Sequence, residues 1–126
     1  MTNKKYPRSF AHACAMTKKN PKTALPYAKP KNDFQEALNA VATLWIIAQA
    51  IRGTWEADYD NSNQKKWYPW FRKTASGFVF SNAFCDWSFS YSATGSRLCF
   101  ENSEDAEYFG KKFIKLHNKV LLISKK

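Results

Sequence analysis

Apolar positions along the chain repeat with two different periods, and the periods divide it into elements. Leu38, Val41, Leu44/Trp45, Ala48 and Ile51 recur three or four residues apart, which puts them on one face of a helix. Asp33 followed by Glu36 has the shape of a capping box, and Gly53 stands where a residue of positive φ ends a helix. The spacing predicts a helix over residues 34–52, about 28 Å long at the usual helical rise. Trp55 to Tyr59 reads as an extended lead, and Asp60-Asn61-Ser62-Asn63 as a loop of residues that bond their own backbone.

Four strand-like segments come next, at 66–71, 77–82, 85–91 and 96–100. Period-two spacing is visible in Phe78 and Phe80, and again in Cys85, Trp87, Phe89 and Tyr91. Asn82-Ala83 and Ser92-Ala93-Thr94-Gly95 read as the turns between them. Pro69 cannot donate to a ladder, so its strand is expected at an edge or at a bulge. Towards the C-terminus Asn102 or Ser103 caps a last helix, with Ala106, Phe109, Phe113, Leu116 and Val120 as its apolar stripe. Gly110 costs about 1 kcal/mol there against Ala, so a strand or a ring is expected to approach it closely. The predicted fold is α+β: an antiparallel four-stranded meander-like sheet packed with two helices.

The first 32 residues carry no such period. Pro7, Pro21, Pro26 and Pro30 interrupt them, and only a turn of helix around Phe10–Met16 is expected. The organisation read from this is a flexible extended arm, residues 1–32, and one compact domain, residues 33–126. The arm could become ordered on a partner or by packing against the domain. Charge follows the same division. The chain carries +10, of which Lys4, Lys5, Arg8, Lys18, Lys19, Lys22, Lys29 and Lys31 contribute +8 without any acid among them. Basicity thus belongs to the arm and says little about the surface of the domain.

No apolar run approaches the ~20 residues that span a bilayer, and no apolar stretch follows the basic start, so neither a membrane partner nor a secretory signal is expected. Cys14, Cys85 and Cys99 are an odd set without metal-ligand spacing, which suits a reduced, cytoplasmic setting. His12 and His117 are the only histidines, and neither cysteine near the second has a nucleophile signature. Asp58-x-Asp60-x-Ser62 begins like a calcium loop but has Asn63 where glycine is required and Pro69 where the closing glutamate belongs. Glycine-rich phosphate loops and dinucleotide fingerprints are absent from the sequence. The expectation is a protein that is not an enzyme and takes no metal or other cofactor.

Alongside Ile46-Ile47-Ala48-Gln49-Ala50, Gly53-x-Trp55 and Ser76-Gly77-Phe78, three longer blocks carry a resemblance. They are Asp58-Tyr59-x-Asn61-Ser62-Asn63-Gln64-Lys65-Lys66-Trp67-Tyr68-Pro69-Trp70-Phe71, then Gly95-Ser96-Arg97-Leu98-Cys99-Phe100, then Ala106-Glu107-Tyr108-x-Gly110-Lys111-x-Phe113. Together, over roughly residues 45–120, they resemble a set of small proteins encoded by phages and prophages of gut Bacteroidetes, which have no assigned activity. The resemblance implies a setting, the bacterial host cytoplasm or a virion, and no reaction. The chain departs from the set at Glu56-Ala57-Asp58-Tyr59, where Pro-Asp-Trp is usual, and in its basic rather than acidic leading segment.

The remaining signal is binding. Aromatic residues crowd the strand region beside cations, a combination that suits stacked bases and phosphates, although the same rings could simply be core. Trp70 and Phe71 are the residues most expected in that core, and Arg97 the most expected in a site, unless it only pairs with Glu101 or Asp58. The expected function is contact with nucleic acid or a nucleoprotein assembly. Lys4, Lys5, Arg8, Lys18, Lys19 and Lys22 of the arm and Lys65, Lys66, Trp67, Arg72, Lys73 and Arg97 of the domain are the candidate binding residues. The other readings are an inhibitor of a host defence factor, by docking on a host or phage protein or by sequestering a nucleotide signal, and a virion component.

Overall fold

The longest element, α2 (Asp33–Arg52), starts where the Asn32 side chain accepts a hydrogen bond from the Gln35 N–H, and it ends at Gly53 with φ of 61°. Its cap is therefore one residue earlier than the sequence pattern suggests. Leu44, Ile47, Ala48 and Ile51 are buried along its inner face. The computed structural model describes residues 5–89 and 97–122. Within them the other elements are α1 (Phe10–Met16), β1 (Lys66–Thr74), β2 (Gly77–Asp86), α3 (Ser103–Lys112) and α4 (Ile114–Leu121).

The class is α+β, but the four-stranded meander with two helices does not form. Among the described residues there are four helices and one two-stranded antiparallel sheet. The segments predicted at 77–82 and 85–91 merge into β2, which stops at Asp86. Asn82 and Ala83 are not a turn: they pair with Trp70 and Pro69 inside the ladder. The register slips at this point, because Trp70 faces Asn82 while Phe71 faces Phe80, leaving Ser81 as the extra residue of a bulge. A bulge switches which residues share a face, so Phe78 and Phe80 lie on the same side as Ala83 and Cys85. The fourth predicted strand contributes only an isolated bridge, Phe100 to Trp67. The predicted turn at Ser92–Gly95 lies outside the described residues.

Pro69 sits where its missing donor does no harm. Trp67 exchanges both backbone hydrogen bonds with Phe100, on the side of β1 away from β2. Two residues on, Pro69 turns the same way and removes no bond from the hairpin.

One face of the hairpin packs on α3 and α4. A Cβ on Gly110 would lie 2.5 Å from the Phe80 ring and 3.0 Å from Pro69, so both a ring and a strand approach it as expected. The predicted last helix is broken at Phe113, whose φ of −111° and ψ of 32° separate α3 from α4. Past the break, the Asn118 side chain exchanges hydrogen bonds with the Phe78 backbone at 2.7 and 2.9 Å and completes that part of the β2 edge. Phe100, Phe109, Phe113 and the α2 stripe form the core.

The basic N-terminal residues lie against this core. Ala13 and Cys14 of α1 are fully buried in it. Tyr6 stacks on Tyr108 with ring centroids 4.3 Å apart and donates to the Asp105 carboxylate at 2.7 Å, while the Tyr108 hydroxyl donates to the Pro7 carbonyl. Further along, Tyr27 and the Asn39 side chain exchange two hydrogen bonds.

Candidate nucleic-acid interface

The end of α1 fixes the first cation of the site. Lys18 adopts φ of 58°, the Lys18 N–H donates to the Ala15 carbonyl, and the Lys19 N–H donates to the Cys14 carbonyl. That is a Schellman stop with lysine where glycine is usual. It turns Lys19 towards α2, where its Nζ donates to Gln49 Oε1 at 3.2 Å. One turn on, Arg52 is half-buried and donates from Nη1 to the Arg97 carbonyl at 2.6 Å. The Arg97 guanidinium lies over the Trp45 ring, 4.6 Å from its centroid.

These side chains line a cleft of about 770 Å³ between the α1–α2 connection, the second half of α2 and the segment after it. Lys19, Arg52 and Arg97 supply its cations, Trp45 and Trp55 its rings, and Glu56 its carboxylate. Among the described residues none of the three cations lies within 4 Å of a carboxylate; the Lys111–Glu107 and Lys119–Glu36 ion pairs are elsewhere. Burial lowers the Arg52 pKa from its ordinary value, and the positive charge of Arg97 adds to that effect. An anion in the cleft would oppose both effects. Trp45 Nε1 is buried with no hydrogen-bond partner among the described residues, a cost of about 1–3 kcal/mol for a group of this kind.

The other predicted residues fall into separate places. Lys5 and Arg8 are exposed on the side of α3, and the Arg8 N–H donates to His12 Nδ1. Lys18 and Lys22 are exposed on either side of Lys19, and Lys4 lies outside the described residues. Lys65 is exposed, 5.5 Å from the centre of the Trp87 ring, and Arg72 and Lys73 are exposed near the hairpin tip. Trp67 is half-buried against the core.

Lys66 is fully buried. Its ammonium donates to the carbonyls of Asn61, Gln64 and Trp87 and sits 5.0 Å from the centre of the Tyr59 ring. It ties the 61–64 loop to the strand, with no face left for a phosphate. Trp70, expected in the core, is 47% exposed and packs on Phe84, itself 45% exposed, on the face of the hairpin away from α3 and α4. Phe71 does face inward, 4.5 Å from the His117 ring.

His117 and the 58–64 loop are each tied into the fold by hydrogen bonds. His117 is buried between Phe71 and Phe109, with Nε2 3.2 Å from the Phe109 carbonyl, and burial pulls its pKa down to about 4. The 58–64 loop caps itself, as the Asp60 and Asn63 N–H groups bond the side chains of Asp58 and Asn61. No group of three metal-ligating side chains occurs among the described residues. No helix among them is long and apolar enough to cross a membrane.

Sequence reasoning found Lys19 and Arg97 but missed Arg52, Trp45 and Trp55. Trp45 and Arg52 are seven residues apart, two helical turns, and that spacing would have put them on one face. A last-turn arginine is instead easily assigned to the helix dipole. No known protein family, curated protein or solved structure matches this chain.

Proposed function

We propose that this is a non-enzymatic binding protein for nucleic acid, working for a phage or mobile element in its bacterial host, with the cleft of Lys19, Arg52 and Arg97 as its main contact. The observation that carries the reading is three cations converging on two indoles without a carboxylate partner. Phosphate oxygens satisfy guanidinium and ammonium donors together, and bases stack on indole and guanidinium planes. Lys18 and Lys22, exposed and close to Lys19 along the chain, add long-range positive charge to this end of the molecule.

The test is binding of labelled single- and double-stranded oligonucleotides to the full-length protein and to Lys19→Glu and Arg97→Glu variants, at low and moderate salt. Binding that prefers single strands, weakens steeply with salt and falls at least about tenfold in each variant is expected. Absence of binding by the unaltered protein at 50 mM salt, about the lowest at which such contacts are compared, sinks the proposal.

A second reading, inhibition of a host defence factor by docking on it, draws on the exposed Trp70 and Phe84 of the hairpin. It predicts that Trp70→Ala, and not the cleft variants, abolishes the biological effect in infected cells.

A further inference from the structure

The cleft differs from a simple anion patch in what stands beside its cations. A surface that only tracks a phosphate backbone needs spaced lysines and arginines, and no floor. Here the Arg97 guanidinium lies over Trp45 and extends the indole's π surface, while Trp55 lines the same cleft. Arg52 spends a donor on the Arg97 carbonyl, and the rest of its guanidinium fork is uncommitted to any carboxylate. Lys19 is held by the neutral amide of Gln49, a bond that a phosphate oxygen can replace at little cost. Glu56 lines the cleft as an acceptor, which suits the exocyclic amine of a base and not a phosphate. A volume of about 770 Å³ is within the range that encloses a compact ligand.

We infer that the cleft seats a single nucleotide unit, with its phosphate between Lys19 and Arg52 and its base against the Arg97–Trp45 pair. This rests on the nucleic-acid reading and narrows it: the contact is to one phosphorylated nucleoside, free or at the end of a strand, and the surrounding lysines add only charge. The chemistry recognised is a base and a phosphate presented together. Neither half alone fills both parts of the cleft.

Calorimetric titration of the full-length protein with adenosine 5′-monophosphate, adenosine and inorganic phosphate tests it, beside anisotropy with a single-stranded oligonucleotide. The mononucleotide is expected to bind at least about tenfold more tightly than either fragment. Arg97→Lys, which keeps the charge and loses the planar surface, is expected to weaken the mononucleotide by about tenfold and to leave inorganic phosphate unchanged. A thermal melt of that variant matching the unaltered protein separates lost recognition from lost folding. If the variant melts lower, Lys19→Glu decides in its place: it is expected to weaken the mononucleotide and inorganic phosphate by at least about tenfold and to leave adenosine unchanged, and an undiminished mononucleotide affinity overturns the inference. Equal affinity for the mononucleotide and phosphate overturns the inference and leaves an anion site. Oligonucleotide binding without mononucleotide binding also overturns it, while the broader nucleic-acid reading stands. Failure of both ligands removes both.

Discussion

Among the described residues three buried acidic or basic side chains carry charge or potential charge into the interior, Lys66, Asp105 and His117, and the first and the last each make a measurable demand. Lys66 answers its own desolvation with three carbonyls and a ring. Replacing it by Met keeps most of the volume but strands those carbonyls, so Lys66→Met is expected to lower stability by about 3 kcal/mol in a urea melt. Oligonucleotide affinity should not change, because the ammonium is buried. His117 works through pH. The Phe109 carbonyl accepts its Nε2–H, which by itself favours the charged ring, but burial outweighs that contact and pulls the pKa from 6.5 to about 4. Between those values the unfolded chain binds the proton and the folded chain does not, so stability falls as pH is lowered from 6.5 towards 4. The loss attributable to this ring is on the order of 3 kcal/mol. Melts of His117→Leu from pH 7 to pH 4 should show a slope shallower by about one proton than the unaltered protein; an identical slope would show that the ring is not buried neutral.

At the scale of elements, α3 and the hairpin depend on Gly110. Alanine there gains about 1 kcal/mol of helix propensity, but its Cβ would meet the Phe80 ring at 2.5 Å. Phe80 is wedged between strand and helix, so Gly110→Ala is expected to be net destabilising by about 1–3 kcal/mol, and a stabilised Tm would refute the close approach. That approach was legible in the sequence, because a mid-helix glycine needs a reason. So were the Gly53 end of α2, the self-capped loop and, to within one residue, the starts of α2 and α3, all of which depend on a few local residues. The sheet was not. Hydrophobic positions change parity between Phe80 and Ala83, and a turn and a bulge both produce that change. The bulge prevailed because Asn82 and Ala83 find partners in Trp70 and Pro69, a pairing that local sequence does not encode. The break at Phe113 was hidden for the opposite reason: the stripe continues across it, and only the packing of α4 on α2 and β2 tells the two helices apart. The site was half legible. Lys19 and Arg97 stand out by charge, whereas Trp45 looks like core and Arg52 like a dipole partner until Arg97 is folded onto them.

For the whole molecule, the basic N-terminal residues have two roles that a deletion cannot separate. They hold eight cations, and they also supply Ala13 and Cys14 to the core and the Tyr6–Tyr108 stack to its flank. Removing residues 1–32 uncovers that apolar surface, with a loss on the order of 5 kcal/mol, comparable to the whole stability of a domain this size. A truncated protein is therefore expected to melt far lower and to expose core to a hydrophobic dye, and its failure to bind nucleic acid would say nothing about charge. Neutralising the cations in place avoids this. Lys18, Lys22 and Lys29 are exposed and make no side-chain hydrogen bond or ion pair among the described residues, so Lys18→Gln, Lys22→Gln and Lys29→Gln together should leave the melt within about 0.5 kcal/mol of the unaltered protein. If they contact a single strand, the slope of log affinity against log salt becomes shallower by about 2, near 0.7 for each lost phosphate contact. An unchanged slope would confine the contact to Lys19, Arg52 and Arg97, and the charge of the leading segment would then serve long-range attraction alone.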